Sequence, residues 1–488
     1  MVRNDEFDTS ERVASSYNPL HTFRLPKGED RRYQHQFADM YFLRLAQVKP
    51  MVEEIAQEAW ADFKIAGESP RRVDRVLDVR QGELCWMAGT VYMEMPLKPN
   101  VLDDISKEHW IAAPPVREKF LSDDALDQVM LEDESGRLRL TGAYLKTQIL
   151  VTGCIIAALG TENANGEFEV IDTKVADLPR QPERWERDEA SAALSGKKVK
   201  QERPKAGKVA FVSGLDISGA DDETIGLDLL KSYLLGEVGS VNVATDIDRA
   251  RVSRLIIAGN SFADSSPIPS RDEVIVRKQS KKYGYDSTTF NPAPSAALDS
   301  FLADLLPSLP ITLLPGVNDP ANVALPQQPL HPALFMRSRN YANPPGVNGN
   351  AKGEEEPSWF DSVTNPWDGD VDGWRMLGNG GQPIDDLYRY VEGDERLDMM
   401  ESVLRWRIGA PTAPDTLWSY PFQDDDPLLI KECPHVFFVG NQPRFESRVI
   451  EGPLGQQVRL IAIPRFRESK TIVLLDAETL AVETMAFD

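Results

Sequence analysis

Cysteine is scarce in this chain of 488 residues: Cys85, Cys154 and Cys433 are far apart and form no C-x-x-C pair. An odd, scattered set fits free thiols in a reducing compartment and excludes a cysteine-built zinc site within the chain. Histidine is almost as rare, with five residues, His21, His35, His109, His331 and His435. Positive charge is also short: 54 Lys and Arg stand against 77 Asp and Glu, a formal net charge of −23 at pH 7. A protein whose main task is gripping phosphate backbones needs clustered Lys and Arg, so the balance argues against that class. The longest apolar stretch, Ile149 to Gly160, contains Thr152 and falls well short of the roughly 20 residues needed to cross a bilayer. The first residues, MVRNDEFDTSER, are charged and have no apolar h-region. No signal peptide is expected, and the sequence reads as a soluble intracellular chain.

What is present is ordered in blocks. Residues 1–32 are polar and without periodicity, and read as a flexible arm. Residues 33–65 form a helical segment, with Phe37, Tyr41, Leu45, Val48, Val52, Ile55 and Ala59 spaced by threes and fours. Pro50 falls inside this stripe and predicts a kink, or a second helix starting there. Residues 66–180 carry strand signals: Glu83 to Met93, Gly136 to Gly142, Leu150 to Leu159 and Phe168 to Leu178. Short strands with turns such as Asn165-Gly166 predict a small OB-type barrel, interrupted by an excursion from Pro96 to Met130.

Residues 181–207 read as a charged linker. Its basic end, with Lys197, Lys198, Lys200, Arg203 and Lys205 and continuing into Lys208, suits a nuclear localisation patch or a solvated loop. Residues 208–488 alternate strands and helices, which implies an α/β core. Two surface insertions are expected in it. Residues 264–295 mix Pro and Ser with the basic run Arg277 to Lys282. Residues 340–373 hold Glu354, Glu355, Glu356, Asp361, Asp368, Asp370 and Asp372 with little apolar content.

In this second half, four buried strands each end in a turn containing glycine: Ser213-Gly214-Leu215-Asp216, Ala258-Gly259-Asn260, Pro315-Gly316-Val317-Asn318-Asp319 and Val439-Gly440-Asn441. Open α/β sheets place ligands at the carboxyl ends of their strands, so the four turns should converge. The layout resembles the calcineurin-like metallophosphoesterases, whose pattern is D-x-H, G-D-x-x-D, G-N-H-[DE] and G-H-x-H. Matched onto that pattern, Gly214 and Asp216 replace the first Asp and His. Asn260 and Ala263 replace the two Asp residues of the second motif. Val317 and Asn318 occupy the Asn and His places of the third and leave Asp319, while Asn441 and Pro443 replace both final histidines. A dinuclear site needs several anionic or imidazole ligands to hold its cations and generate hydroxide. The resemblance therefore implies the phosphoesterase fold without its catalysis, no metal and no catalytic residue. Asp216 and Asp319 are read as caps of the following turn or helix rather than ligands. His331 and His435 are read as hydrogen-bonded structural histidines.

The barrel offers little to a nucleic acid. Between Arg80 and Arg180 there are 17 acidic and 10 basic side chains, a net of −7. Trp86 and Tyr92 share a face with Leu84 and Ala88, which reads as core more simply than as a stacking platform. No P-loop, Rossmann fingerprint or nucleophile elbow is present, and Gly378-Asn379-Gly380-Gly381 reads as a turn.

An OB-type barrel packed on an inactivated calcineurin-like phosphoesterase α/β sandwich is the combination found in the B-subunits of replicative DNA polymerases. The sequence resembles the small-subunit family of DNA polymerase delta in Met95-Pro-Leu-Lys-Pro99 with Ser106-Lys-Glu-His109, Ser253-Arg-Leu-Ile-Ile-Ala-Gly-Asn260 and Leu325-Pro-Gln-Gln-Pro-Leu-His-Pro332. Pro411-Thr-Ala-Pro-Asp-Thr-Leu417 with Tyr420-Pro-Phe422, and Glu432-Cys-Pro-His-Val-Phe-Phe-Val-Gly-Asn441, carry it further. The resemblance implies a non-catalytic nuclear scaffold for DNA replication, repair and translesion synthesis. Its partners would be the C-terminal cysteine-rich domain of the polymerase delta catalytic subunit, a third elongated clamp-binding subunit and the catalytic subunit of polymerase zeta. DNA would be met only through the complex, with no cofactor and no membrane. Two rival readings are an active metallophosphoesterase or exonuclease with an unusual ligand set, and an OB-fold single-strand DNA-binding protein.

Overall fold

The computed structural model describes residues 12–26, 28, 31, 37–99, 117–122, 126–195, 207–219, 224–237, 251–263, 292–342 and 358–487. The chain begins with a short strand, β1 (Tyr17–Pro19), and a long helix, α1 (Phe37–Ala59). The buried stripe of α1 is Met40, Arg44, Leu45, Val48, Val52 and Ala56, as the three-four spacing requires. Pro50 does not break it. Both Pro50 and Ala46, whose carbonyl loses its helical partner to the proline, lie on the exposed face where water can serve that carbonyl.

The strands β2 (Arg71–Arg72), β3 (Leu84–Glu94), β4 (Gln128–Glu132), β5 (Arg137–Thr141), β6 (Ile155–Glu162) and β7 (Phe168–Lys174) follow. Their order is β2-β3-β4-β5-β7-β6, and β3 also pairs with β6. The five longer strands thus close into a barrel, with β5 and β7 the one parallel pair among them. Helix α1 lies against β3 and β6. Trp60, just beyond its end, packs edge-on against Trp86 at 5.6 Å and donates a 2.8 Å hydrogen bond to Asp172.

Helix α2 (Glu186–Ser195) occupies part of the segment expected to be a linker. Next come β8 (Lys208–Val212), α3 (Thr224–Leu235), β9 (Val252–Ala258), α4 (Ala293–Leu305), β10 (Ile311–Leu314), β11 (Phe360–Ser362), β12 (Trp367–Val371) and β13 (Trp374–Asn379). The chain closes with α5 (Gln382–Tyr390), α6 (Arg396–Trp406), β14 (Val436–Gln442), β15 (Glu446–Glu451), β16 (Gln457–Pro464), α7 (Phe466–Ser469), β17 (Thr471–Asp476) and β18 (Val482–Ala486). Two six-stranded sheets result, β1-β12-β13-β14-β16-β15 and β11-β10-β9-β8-β17-β18.

Side-chain alternation explains why these strands read as continuous apolar runs. In β9, Ile256 and Ala258 enter the core between the two sheets, while Leu255 and Ile257 face α3 and α4 on the other side. In β14, Val436 and Phe438 enter the same inter-sheet core, while Phe437 and Val439 join the cluster that includes α5, α6 and the barrel. The second half is therefore layered helix, sheet, sheet, helix, with the barrel against the outer face of the first sheet.

Three expectations are overturned. Residues 12–26 are not a loose arm. Strand β1 pairs antiparallel with β12, Tyr17 stacks on Trp367, Phe23 and Leu25 are buried, and Arg12 donates to the Leu234 and Val252 carbonyls at 2.6 and 2.7 Å. Residues 358–373 are not a surface insertion. They form β11 in one sheet and β12 in the other, with Asp361, Asp368, Asp370 and Asp372 all buried. Lys208 belongs to no exposed basic patch, because it is buried at the start of β8 and ion-paired with Glu483. Lys197, Lys198, Lys200, Arg203 and Lys205, the basic run 277–282, and Glu354 to Glu356 lie outside the described residues.

Candidate functional site at the strand ends

The four glycine-containing turns do meet. Gly259 is packed so closely that an added Cβ would lie 3.1 Å from Asn441 Nδ2 and from the Cα atoms of Gly316 and Gly380. A Cβ on Gly316 would lie 2.3 Å from Asn260, and one on Gly440 only 2.0 Å from the Ala258 carbonyl oxygen. Asp216, Asn260 and Asn441 all adopt positive φ, between 47° and 58°. Asp and Asn tolerate that left-handed region better than other residues with a Cβ, which is what sharp turns off buried strands require.

The interior of this junction is filled by amides. Asn441 Nδ2 donates to the carbonyls of Gly380 at 2.8 Å and Ala258 at 3.3 Å, and its backbone N–H donates to Ser213 Oγ at 2.8 Å. Asn260 Oδ1 accepts from the Asn318 N–H at 3.2 Å. Beside them, Asn365 Nδ2 bonds to the Oε1 atoms of Gln327 and Gln382 at 2.8 and 2.9 Å, and Gln382 Nε2 donates to Gln327 Oε1. Gln327 in turn donates to the Gly316 carbonyl, and Asn365 accepts from the Gly380 N–H. Asn441 Oδ1 is the one amide atom here that is buried with no partner among the described residues.

Two carboxylates remain. Asp319 is buried, with Oδ1 accepting from the Phe262 N–H at 2.9 Å and Oδ2 from the Gly316 N–H at 2.7 Å. It thus ties the turn after β10 to the turn after β9, and it caps no helix. Burial pushes its carboxyl up to about 6, opposed by these backbone donors. Asp216 is half-buried. Desolvation raises it, while Arg465, Arg467 and a hydrogen bond to Asn318 pull it back. Val317 is exposed, Ala263 donates its N–H to the Ile217 carbonyl, Pro443 is exposed, and Gly214 donates to the Gly259 carbonyl. Such a set can lock turns together, and its neutral amides offer divalent cations weak ligands. Among the described residues, no group of three or more His, Cys, Asp or Glu could hold a metal ion.

Sequence reasoning read Gly378-Asn379-Gly380-Gly381 as a turn but did not bring it to this junction, where Gly380-Gly381 leads from β13 into α5 and the Gly380 carbonyl accepts from Asn441. The signal was a strand ending in Asn-Gly-Gly, hidden because β13 directly follows an acidic run. It also assigned no role to Asn365 and Gln382, which carry no motif, or to Gln327, although that residue lies in the stretch Leu325 to Pro332. His435 is structural. It is buried, and its Nδ1 accepts from the Arg375 N–H at 3.1 Å while its ring packs on Trp374. Desolvation holds it down at about 4, neutral at physiological pH. His331 Nδ1 accepts from the Ala333 N–H and caps a short turn. In the barrel, Trp86 is buried against Trp60, and half-buried Tyr92 lies under Lys98 and Arg137, each 4.4 Å from its ring.

Comparison with known proteins agrees with both halves. Residues 36–173 match the family described as DNA polymerase delta subunit OB-fold domain, and residues 209–447 match the B-subunit family of DNA polymerases alpha and epsilon. A barrel of the first kind joined to a unit of the second defines a B-subunit of a DNA polymerase. The DNA polymerase delta small subunit of Arabidopsis thaliana is 37% identical over 478 residues, covering 98% of this chain and 96% of that protein. The DNA polymerase delta small subunit of Saccharomyces cerevisiae is 33% identical, covering 97% and 93%. DNA polymerase delta subunit 2 of Drosophila melanogaster is 31% identical, covering 98% of each. The chain belongs to the DNA polymerase delta small-subunit family.

Proposed function

We propose that this chain is the non-catalytic accessory subunit of a DNA polymerase delta, acting in the nucleus as a scaffold. It binds the C-terminal cysteine-rich domain of the catalytic subunit, passes the assembly on to a third, clamp-reaching subunit and serves the polymerase zeta catalytic subunit in the same way. Its two-sheet unit is a calcineurin-like phosphoesterase sandwich that has lost its chemistry. Gly214, Asp216, Asn260, Ala263, Val317, Asn318, Asp319, Asn441 and Pro443 stand at the former active-site positions.

The observation that carries this reading is the closed amide network at the strand ends. A hydrolytic centre needs anionic and imidazole ligands around an open position, and here Asn441, Asn260, Gln327 and Asn365 bond to one another's loops. Family membership supports the accessory role, and a charge of −23 suits docking of a basic partner domain. The test has two arms on the full chain. After washing with chelator and resupply of manganese, the protein should hold no stoichiometric metal and turn over no phosphodiester. Titrated with the catalytic subunit's C-terminal domain, it should form a stable one-to-one complex by calorimetry. Bound metal with turnover that disappears in Asp319→Ala would establish an enzyme, and absence of binding would end the scaffold reading.

A further inference from the structure

The two sheets have four edges, and three of them are short or guarded. Strands β1 and β11 are three residues each, and β1 ends in Pro19. Strand β15 carries Arg448, paired with Asp398 and Glu401, and its Glu451 carbonyl accepts from Arg405 Nη2 at 3.1 Å. The fourth edge, β18, is five residues, Val-Glu-Thr-Met-Ala, with no Lys, Arg or Pro. Edge strands usually carry such residues, because a row of free N–H and C=O groups pairs readily with another chain.

Strand β18 pairs antiparallel with β17, from Thr471 opposite Ala486 to Leu475 opposite Val482. The two ends fix its ladder. The Asp476 N–H donates to the Ala481 carbonyl and the Phe487 N–H to the Lys470 carbonyl, each at 2.9 Å. Bonded and non-bonded pairs alternate, so Glu483 and Met485 also turn their backbone groups to β17. Val482, Thr484 and Ala486 turn theirs outward, where no strand adjoins among the described residues. An apolar row lies beside this edge. Ile225, Leu229 and Tyr233 follow one another at four-residue spacing on α3, and Tyr233 packs on Phe487 at 5.5 Å. Met485 lies opposite Ile472, which shares a core cluster with Leu230 and Leu234 of α3, so Met485 points to the helix side of the sheet. Ile225 is 75% exposed, and Leu229 and Met485 37% each, three large apolar side chains left in water beside an open edge.

We propose that β18 pairs with the β18 of a second copy of this chain, antiparallel about a two-fold axis at Thr484. That register sets Thr484 against Thr484 of the copy, Val482 against its Ala486 and Glu483 against its Met485. All five residues then pair, and no like charges are opposed. An axis at Glu483 would instead bring two carboxylates face to face. Charge calls for no other occupant, because Glu483 is paired with Lys208, Asp476 with Arg251 and Asp228 with Lys231, which leaves little to attract a basic segment or a nucleic acid. The axis keeps α3 and its copy on one face of the joined sheet, so the two Ile225-Leu229 rows border one groove with Met485 in its floor. Five residue pairs and these side chains make a contact small beside the roughly 1,200–2,000 Å² of stable complexes, so the dimer is weak and depends on concentration. It would join two small subunits, and it does not depend on the scaffold reading.

The test is sedimentation equilibrium of the full chain. The weight-average mass should climb from one chain towards two between nanomolar and high-micromolar protein. Thr484→Pro removes an outward N–H and no bond to β17, a place where edge strands accept proline, and should leave a monomer at every concentration. Ile225→Lys, at an exposed position away from the strand, should weaken the dimer roughly tenfold or more. Thermal midpoints near wild type confirm that both variants are folded. Thr484→Cys should cross-link two chains under mild oxidation, because bonded antiparallel partners stand about 5.5 Å apart at their Cα atoms, within disulfide reach. Glu478→Cys, in the turn before β18, should not, and the three native cysteines are buried. A wild type that stays monomeric throughout, a dimer that survives Thr484→Pro, or equal cross-linking of the two cysteine variants would overturn the proposal. Titration with the catalytic subunit's C-terminal domain and with the third subunit separates the other occupants. Binding by wild type but not by Thr484→Pro would assign the edge to that partner and overturn the second copy. Equal binding by both, with a dimer in wild type alone, supports it.

Discussion

Arg44 and Asp426 form the most deeply buried ion pair among the described residues, 3% and 0% exposed, with Nε 2.7 Å from Oδ2. Arg44 projects from α1, and Asp426 sits in the loop after Tyr420-Pro-Phe422, so the pair fastens the helix to the second half of the chain. Arg44 Nη1 also donates to the Ala413 and Ala410 carbonyls at 2.6 and 3.3 Å. Replacing it by Met removes the charge and these bonds but keeps most of the stem. The carboxylate of Asp426 then keeps the Leu428 N–H, at 2.9 Å, in a site closed to solvent. Breaking a buried pair from one side costs about 3–5 kcal/mol, a large part of the 5–15 kcal/mol that holds a typical domain together. Removing both charges relieves the stranded carboxylate. Arg44→Met with Asp426→Leu should therefore cost less than Arg44→Met alone. Urea unfolding followed by circular dichroism gives both numbers. A loss under about 1 kcal/mol for the single variant, or a double variant that costs as much as Arg44→Met alone or more, would refute the reasoning.

The strand-end junction makes two further predictions. A Cβ on Gly440 would stand 2.0 Å from the Ala258 carbonyl oxygen, where β14 of one sheet meets β9 of the other. Gly440→Ala should lower stability by about 1–3 kcal/mol, and a thermal midpoint equal to wild type would show that the turns are not so tightly packed. For Asp319 the sign follows from its carboxyl standing at about 6 in the folded chain against an ordinary 3.8. The native state then holds a proton that the unfolded chain releases, so this contribution is present below 3.8 and is lost as pH rises through about 6. Asp319→Asn cannot titrate. The stability of wild type relative to that variant should fall across this window and level off above it, and a pH-independent difference in urea midpoints would contradict the assignment.

Local pattern made much of this protein legible. The stripe from Phe37 to Ala59, the β-rich blocks from Glu83 to Leu178 and the runs Val209 to Val212 and Leu255 to Ala258 report burial through spacing alone, because period and hydropathy are properties of neighbouring residues. The four glycine turns were visible for the same reason, since each needs small or left-handed residues directly after a buried strand. What the sequence could not carry is compensation from far away. Asp361, Asp368 and Asp372 read as a solvated acidic loop, yet Tyr17, Thr22 and the Ser16 N–H bond to them across 344, 346 and 356 residues of chain. Those partners belong to a strap that itself reads as polar, so each segment looks exposed until the other is in place. The amide network has the same character. Gln327, Asn365, Gln382 and Asn441 are unremarkable singly, and only the meeting of five strand ends makes them satisfy one another. Sequence decided which strands and turns would form. The tertiary structure decided which polar groups they could bury, because a buried polar group is tolerated only where a partner arrives.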